Sequence, residues 1–246
     1  MIPKIIHFCW LSNDPYPSKI RRCIDTWSRM LPDYEIWLWD FSRLGNAAND
    51  WVHEAFDRKK YAFAADFIRV YALYNYGGIY LDSDVELVKS FDQFLHLPYF
   101  FCRESGGWAV EAACMGAEKG HPFFKYLVDH YKNRHFVRPD GSLDMLTMPE
   151  IMQQVVDRHF KIKHIDSIDD FDDSQSLLSI LPSEYFSPID TRTMELRTTR
   201  RTVAIHHFAA SWCSPSMRLK KRLQRMLGAK LTRSIMSAKR IFQRTH

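Results

Sequence analysis

A chain of 246 residues with 46% apolar and 26% charged residues, 9 Gly and 11 Pro has an ordinary globular make-up. That excludes collagen-like repeats, coiled-coil rods and long disorder, and the length suits one large domain or two small ones. The net charge of +5 averages two unlike parts: residues 217–246 carry ten Lys and Arg and no acid, which leaves 24 basic against 29 acidic residues in the body.

Five Cys, at 9, 23, 102, 114 and 213, form no CxxC pair and show no metal-ligand spacing. An odd, scattered set predicts free buried thiols in a reducing compartment. No apolar stretch approaches the about 18 residues of a spanning helix, and no signal peptide is apparent at the N-terminus.

Taken in chain order, Ile2 to Trp10 is a nearly continuous apolar run, read as a strand buried on both faces. Ser18 to Leu31 reads as a helix, with Ile20, Ile24, Trp27 and Leu31 on one stripe. Tyr34 to Trp39 alternates as a second strand. Residues 50 to 76 read as one long helix stopped by Gly77-Gly78. Ile79-Tyr80-Leu81 is a short strand, with Asp82-Ser83-Asp84 at its C-terminal end. Tyr99 to Cys102 and Ala112 to Ala117 follow as strands. Pro122 to Arg134 and Pro149 to Phe160 follow as helices, each with Pro in its first turn. Leu177 to Leu181 and Thr202 to His207 are the last two strands. The alternation predicts an α/β domain with a mainly parallel sheet. Ligands of such sheets sit beyond the C-terminal strand ends, where Trp10, Asp82, Asp84, His206 and His207 all fall.

Asp82 and Asp84, two residues apart on a bent loop, can reach one cation. Their hard oxygens suit Mg²⁺ or Mn²⁺ better than Zn²⁺. The bland alternative is a solvated turn. Asp66 and Arg69 share a face of the preceding helix at i, i+3. A surface ion pair there would contribute little, but the surrounding residues, Tyr61, Phe63, Phe67, Ile68, Val70 and Tyr71, are apolar or aromatic. The pair is therefore expected to be buried near the site, where an unpaired charge would be costly.

These residues resemble a family. The run Ala64-Ala65-Asp66-Phe67-Ile68-Arg69-Val70-Tyr71, followed by Tyr76-Gly77-Gly78-Ile79-Tyr80-Leu81-Asp82-Ser83-Asp84, is similar to the signature of glycosyltransferase family 32. That group of D-x-D sugar transferases includes yeast mannosyltransferase-like and bacterial capsule enzymes, and is related to the glucosyltransferase domain of large clostridial toxins. Ile2 to Trp10 resembles the family's opening strand, and His206-His207-Phe208-Ala209-Ala210-Ser211-Trp212 resembles its closing motif.

The resemblance implies a single GT-A type domain over residues 1–216, with a basic amphipathic tail over 217–246. It implies an enzyme that moves a hexose from a nucleotide-sugar, a UDP-sugar being favoured, with retention and with Mn²⁺ (or Mg²⁺). The acceptor would be a glycan or lipid-linked saccharide in surface polysaccharide synthesis. Carried over, Trp10 stacks on the nucleobase, Asp66 and Arg69 contact the donor sugar, and Tyr80 lies among the donor-binding residues. Asp82 reaches the ribose or sugar and bridges to the metal through water, and Asp84 coordinates the metal directly. His207 supplies a further metal ligand. Strand alternation sends the rings of His206 and His207 to opposite faces, and His207 fits the motif better. Ser211 and Trp212 close over the diphosphate by donating hydrogen bonds. The sequence departs from the family at Leu11-Ser12-Asn13-Asp14, where a Gly-rich turn is usual, so the base pocket is expected to differ.

Two rival readings remain at this point. Ile79 to Val85 also fits the strand and D-x-D-x-(T/V) nucleophile of haloacid-dehalogenase-like phosphatases, with Asp169-Asp170 or Asp172-Asp173 as a second acidic site. That motif normally opens its fold, whereas 78 residues precede it here. The tail supports a non-catalytic membrane-surface protein, because Leu219, Leu223, Met226 or Leu227, Leu231, Ile235 and Phe242 recur near helical spacing among basic residues. Such a helix would dock on an anionic membrane at about 1 kcal/mol per basic residue. The expected location is cytoplasmic and peripheral, at the inner face of a bacterial membrane. The acidic body carries no nucleic-acid motif, so no nucleic-acid partner is expected.

Overall fold

The computed structural model describes residues 1–209, apart from 13, 107, 108 and 175. The expected tail over 217–246, together with Ser211 and Trp212, lies outside the described residues. β1 (Ile5–Cys9) runs parallel to β2 (Glu35–Trp39) on one side and to β3 (Gly78–Leu81) on the other. β6 (Cys114–Ala117) is antiparallel to β3, and β5 (Tyr99–Phe100) is antiparallel to β6. The sheet order is β2-β1-β3-β6-β5. Four of its five strands point the same way and only β6 is reversed, so the central sheet is mostly parallel, as the sequence predicts.

Strand alternation divides the core into two layers. Ile79 and Leu81 join Ile6, Phe8 and Trp27 on one face. Tyr80 and Met115 join Ile68, Leu73, Phe123 and Ile151 on the other. α1 (Ser18–Met30) covers the first face and docks on β4 (Val85–Leu87). There the Trp27 indole N–H donates to the Val85 carbonyl at 2.8 Å. α4 (Tyr61–Tyr76) packs on β1, β3 and β6 from the second face, and α5 (Pro122–His130) and α6 (Met148–His159) lie outside it.

After the short α2 (Phe41–Leu44), the helix expected over 50–76 is two helices, α3 (Asp50–Asp57) and α4. The break is at Lys59, which takes a left-handed φ of 55° that a continuous helix cannot contain. α4 ends where expected. Gly77 has φ 68°, and a Cβ there would lie 2.6 Å from the Lys119 amide nitrogen, so glycine is required on both counts. Its carbonyl accepts from the buried ring of His7, with Nε2 2.7 Å away, while His7 Nδ1 accepts from the Trp39 indole at 3.1 Å. That arrangement fixes one neutral tautomer, and burial depresses His7 to about 4.

The strand expected near 202–207 does not join the central sheet. β9 (Ala204–His206) pairs antiparallel with β4 in a small sheet of its own, with His206 opposite Val85. β8 (Leu177–Ile180) pairs parallel with β7 (Lys161–His164), a short polar strand without an apolar signature. The four described cysteines, Cys9, Cys23, Cys102 and Cys114, are free thiols. No helix among the described residues is long and apolar enough to cross a membrane.

Candidate active site

α4 is buried almost all the way round, which is why its charged pair lies inside. Asp66 and Arg69 are 6% and 5% exposed. Arg69 Nη2 lies 3.1 Å from Asp66 Oδ1 and 3.2 Å from Asp82 Oδ1, and Nη1 donates to the Ala112 carbonyl at 2.8 Å. The guanidinium sits 4.7 Å above the ring of Tyr80. One planar cation thus joins α4, the end of β3 and the segment entering β6, which a lysine could not do.

Burial pushes Asp66 up to about 7, against the pull of Arg69 and with a further push from Asp82. Burial would weaken the charge of Arg69, but Asp82, Tyr80 and Asp66 outweigh it and hold the guanidinium more firmly cationic than usual. Asp82 is likewise raised by desolvation, although its side chain keeps 29% of its surface open. Tyr80 is 1% exposed. Alternation along β3 turns the ring into the core, where it supports Arg69 from below.

Beyond β3 the chain turns sharply. The Asp82 amide donates to the Ala113 carbonyl at 2.8 Å, and the Val85 amide donates to the Asp82 carbonyl at 2.9 Å. Asp84 is 8% exposed and meets the end of β9. Its Oδ2 accepts from the Ala209 amide at 2.6 Å, and its carbonyl accepts from the His207 amide at 3.2 Å. His206 Nε2 lies 3.5 Å from Asp84 Oδ1. One ligand atom each from Asp82, Asp84 and His206 lie within 4.8 Å of one another.

The histidine of this cluster is His206, not the expected His207. The His207 ring points to the opposite side, with Nε2 2.7 Å from Glu86 Oε2, in a cavity of about 800 Å³ that Lys19, Arg22 and Arg29 also line. The opposed rings are as alternation predicts. The pairing of His206 with Val85 determines which ring faces the acids, and a pairing register across two distant strands leaves no trace in either segment.

Glu111 escaped the sequence reading. It is 5% exposed, with Oε1 3.3 Å from His206 Nδ1 and 3.0 Å from the Ala113 amide that donates to it. Oε2 accepts from the Ser187 hydroxyl at 2.7 Å. Burial would raise Glu111, but His206 and these donors overcome it and bring the carboxyl down to about 2. Burial would lower His206, and Glu111 and Asp84 instead hold it at about 9. The available signal was a lone acid in the apolar run Ala109 to Met115.

Trp10 lines a separate cavity of about 500 Å³ at the ends of β1 and β2, with Tyr16, Arg21, Asp40 and Phe41 among its walls. Its indole N–H donates to the Asp14 carbonyl at 2.9 Å and its ring meets Tyr16 edge-on at 5.0 Å. The turn that replaces a Gly-rich one therefore orients this ring. The second acidic site of the phosphatase reading does not form. Asp172 accepts from Ser174 in its own loop and from Lys163 of β7, and Asp169 accepts from the Ser167 hydroxyl in its own loop.

The donor set of two carboxylates and one imidazole fits a divalent cation that takes mixed oxygen and nitrogen ligands. The buried His206 Nδ1 lies 3.3 Å from Glu111 Oε1, an ion-pair contact that falls short of an aligned hydrogen bond, and Nε2 is the ring atom turned toward Asp84.

Residues 17–100 match the family model described as a glycosyltransferase sugar-binding region containing a DXD motif. This stretch, about a third of the chain, is similar to the sugar-binding region of the DXD glycosyltransferases. The match agrees with the family that the sequence resembles. Over 135 residues the chain is 40% identical to inositol phosphoceramide mannosyltransferase 3 of Schizosaccharomyces pombe, covering 52% of this chain and 36% of that protein. It is 31% identical to a mannosyl phosphorylinositol ceramide synthase of Saccharomyces cerevisiae, covering 56% and 38%. It is 30% identical to a glycosyltransferase of Acanthamoeba polyphaga mimivirus, covering 58% and 59%. The chain thus spans from about a third to three-fifths of these relatives. Among solved structures, the PaToxG glycosyltransferase is 21% identical with a TM-score of 0.47, covering 64% of this chain and 69% of that one. The matched region contains Asp66, Arg69, Asp82 and Asp84; Trp10, Glu111 and His206 lie outside it.

Proposed function

We propose that this protein is a metal-dependent, retaining hexosyltransferase of GT-A type that takes a nucleotide-sugar donor. The observation that carries the reading is the meeting of Asp82, Asp84 and His206 beside the buried Asp66–Arg69 pair, from segments far apart in the chain. A divalent cation, Mn²⁺ or Mg²⁺, would be held by Asp84 and His206 directly and by Asp82 through water. When bound, it would neutralise the charge that develops on the departing diphosphate.

The remaining work falls to side chains. Arg69 holds the carboxylates of Asp66 and Asp82 at fixed angles, so that Asp66 accepts hydrogen bonds from donor-sugar hydroxyls without having to reorganise. Trp10 offers an aromatic face to the base at the mouth of its cavity. Ser211 and Trp212, assigned from the resemblance alone, would close on the diphosphate. No carboxylate stands out as a covalent nucleophile, which favours front-side attack by the acceptor hydroxyl on the face that the diphosphate leaves.

Two relatives are an inositol phosphoceramide mannosyltransferase and a mannosyl phosphorylinositol ceramide synthase, which brings a mannose donor alongside the UDP-sugars favoured by the sequence and supports a lipid-linked acceptor. A glycan acceptor in surface polysaccharide synthesis is the other form of the same reading. Docking of residues 217–246 on an anionic membrane rests on their composition, ten basic residues and no acid.

The test incubates the purified chain with UDP-glucose, UDP-galactose, a UDP-N-acetylhexosamine and GDP-mannose, each with Mn²⁺, Mg²⁺ or a chelator. We expect one donor to be hydrolysed or transferred with metal and none with chelator. Hydrolysis of a simple phosphate ester with no response to any donor would establish the phosphatase instead.

A further inference from the structure

Glu111 stands directly behind the histidine of the metal cluster, and the following inference rests on the metal-dependent reading above. The two ring nitrogens of His206 face different acids: Nε2 lies 3.5 Å from Asp84 and Nδ1 lies 3.3 Å from Glu111. We infer that Glu111 is a positioning residue, whose carboxylate holds the His206 ring so that Nε2 faces Asp82 and Asp84.

Three observations carry this. A histidine that ligates through Nε2 keeps its proton on Nδ1, and an acceptor there fixes both tautomer and ring orientation. Among the described residues, Glu111 Oε1 is the carboxylate at ion-pair distance from Nδ1. Second, Glu111 is itself immobilised: it is 5% exposed and receives the Ala113 amide and the Ser187 hydroxyl. A mobile acid would orient nothing. Third, the same short segment reaches the other side of the cluster, because the Ala113 carbonyl accepts from the Asp82 amide at 2.8 Å. Glu111 thus links the turn after β3 to the end of β9, the two pieces of chain that must stay in register for the three ligands to meet. A buried carboxylate is costly to keep, and satisfying one amide and one hydroxyl does not call for a charge.

The experiment measures Mn²⁺ affinity on the full chain by titration calorimetry, with thermal unfolding of each variant as a control. Glu111→Ala should weaken Mn²⁺ roughly 10- to 100-fold, the loss typical for a partner of a ligating histidine. Glu111→Gln, which keeps an acceptor oxygen in place, should recover most of that loss. Glu111→Asp, one carbon shorter and still charged, should not. Ser187→Ala, which removes one of the two groups that immobilise Glu111 but keeps the acceptor, should weaken Mn²⁺ binding by less than Glu111→Ala does. In a His206→Ala background, Glu111→Ala should cost less than about threefold more. If Glu111→Ala costs the same in both backgrounds, or if Glu111→Asp and Glu111→Ala bind as wild type does, the inference is overturned while the metal reading stands. Absence of Mn²⁺ binding by the wild-type chain removes both.

Discussion

Asp66 and Asp84 are both buried carboxylates of one site, yet they are satisfied from opposite distances along the chain. Asp66 is paired with Arg69, three residues further along the same helix. Asp84 accepts from the amide of Ala209, 125 residues later, and faces His206 of the same late segment. The first pair is preassembled whenever α4 forms. The second exists only once β9 has closed on β4, so a cation held there would tie the end of the domain to its centre. The near side of the site is therefore set by helix geometry, and the far side by tertiary closure.

The largest effect should come from the far side. Asp84→Asn keeps the shape of the side chain but removes a charged ligand and weakens the acceptor for the Ala209 amide. The loss in kcat/KM should be on the order of 10³-fold, as several kcal/mol of charge stabilisation disappear. Steady-state kinetics with the donor that the panel of nucleotide-sugars identifies will measure it. Unchanged rates in Mn²⁺ would show that the far side does not hold the metal.

On the near side the main effect should be on stability. Arg69→Ala leaves Asp66 without its cation inside the core, and breaking a buried pair by removing one partner costs about 3 to 5 kcal/mol. Urea unfolding monitored by tryptophan fluorescence should register that loss. Arg69→Lys should restore only part of it, because an ammonium cannot reach Asp66, Asp82 and the Ala112 carbonyl together. Full restoration by lysine would mean that charge alone, rather than the planar fork, joins these elements.

The two adjacent histidines give a sharper test of the same contrast. His206→Ala should weaken Mn²⁺ binding about 10- to 100-fold, a loss like that from disabling a ligand's partner or larger. His207→Ala should change it less than about threefold, because its ring engages Glu86 on the other face of β9. Equal losses would place both rings at the cation and would contradict the observed pairing of His206 with Val85.

The contrast also explains what could be read in advance. Asp66, Arg69, Asp82 and Asp84 were legible because helical spacing and the D-x-D step are local patterns, and an ion pair inside an apolar helix has few other uses. The strands of the central sheet were legible for the same reason, from apolar runs between turn residues. The split at Lys59 was not, because a left-handed residue that is not glycine carries no compositional mark. His206 and Glu111 depend on how β9 and the segment before β6 meet the turn after β3, and such registers are settled by packing. Alternation could narrow the histidines to two faces but could not say which face held the acids.

A smaller effect than at the acids should fall at Trp10, which belongs to neither acid cluster. Its ring stands at the wall of the cavity beyond β1 and β2, held by the Asp14 carbonyl and the edge of Tyr16. A nucleobase stacked there would gain about 1 kcal/mol from the aromatic face, so Trp10→Ala should raise the donor KM roughly fivefold. kcat should hardly move, because the base is equally bound in ground and transition states and uniform binding does not lower the chemical barrier. Trp10→Phe should restore most of the affinity, since it keeps a stacking face and loses only the tether to Asp14. A fall in kcat with unchanged KM would instead connect this cavity to the acid clusters and place the transferred sugar, rather than the base, against Trp10.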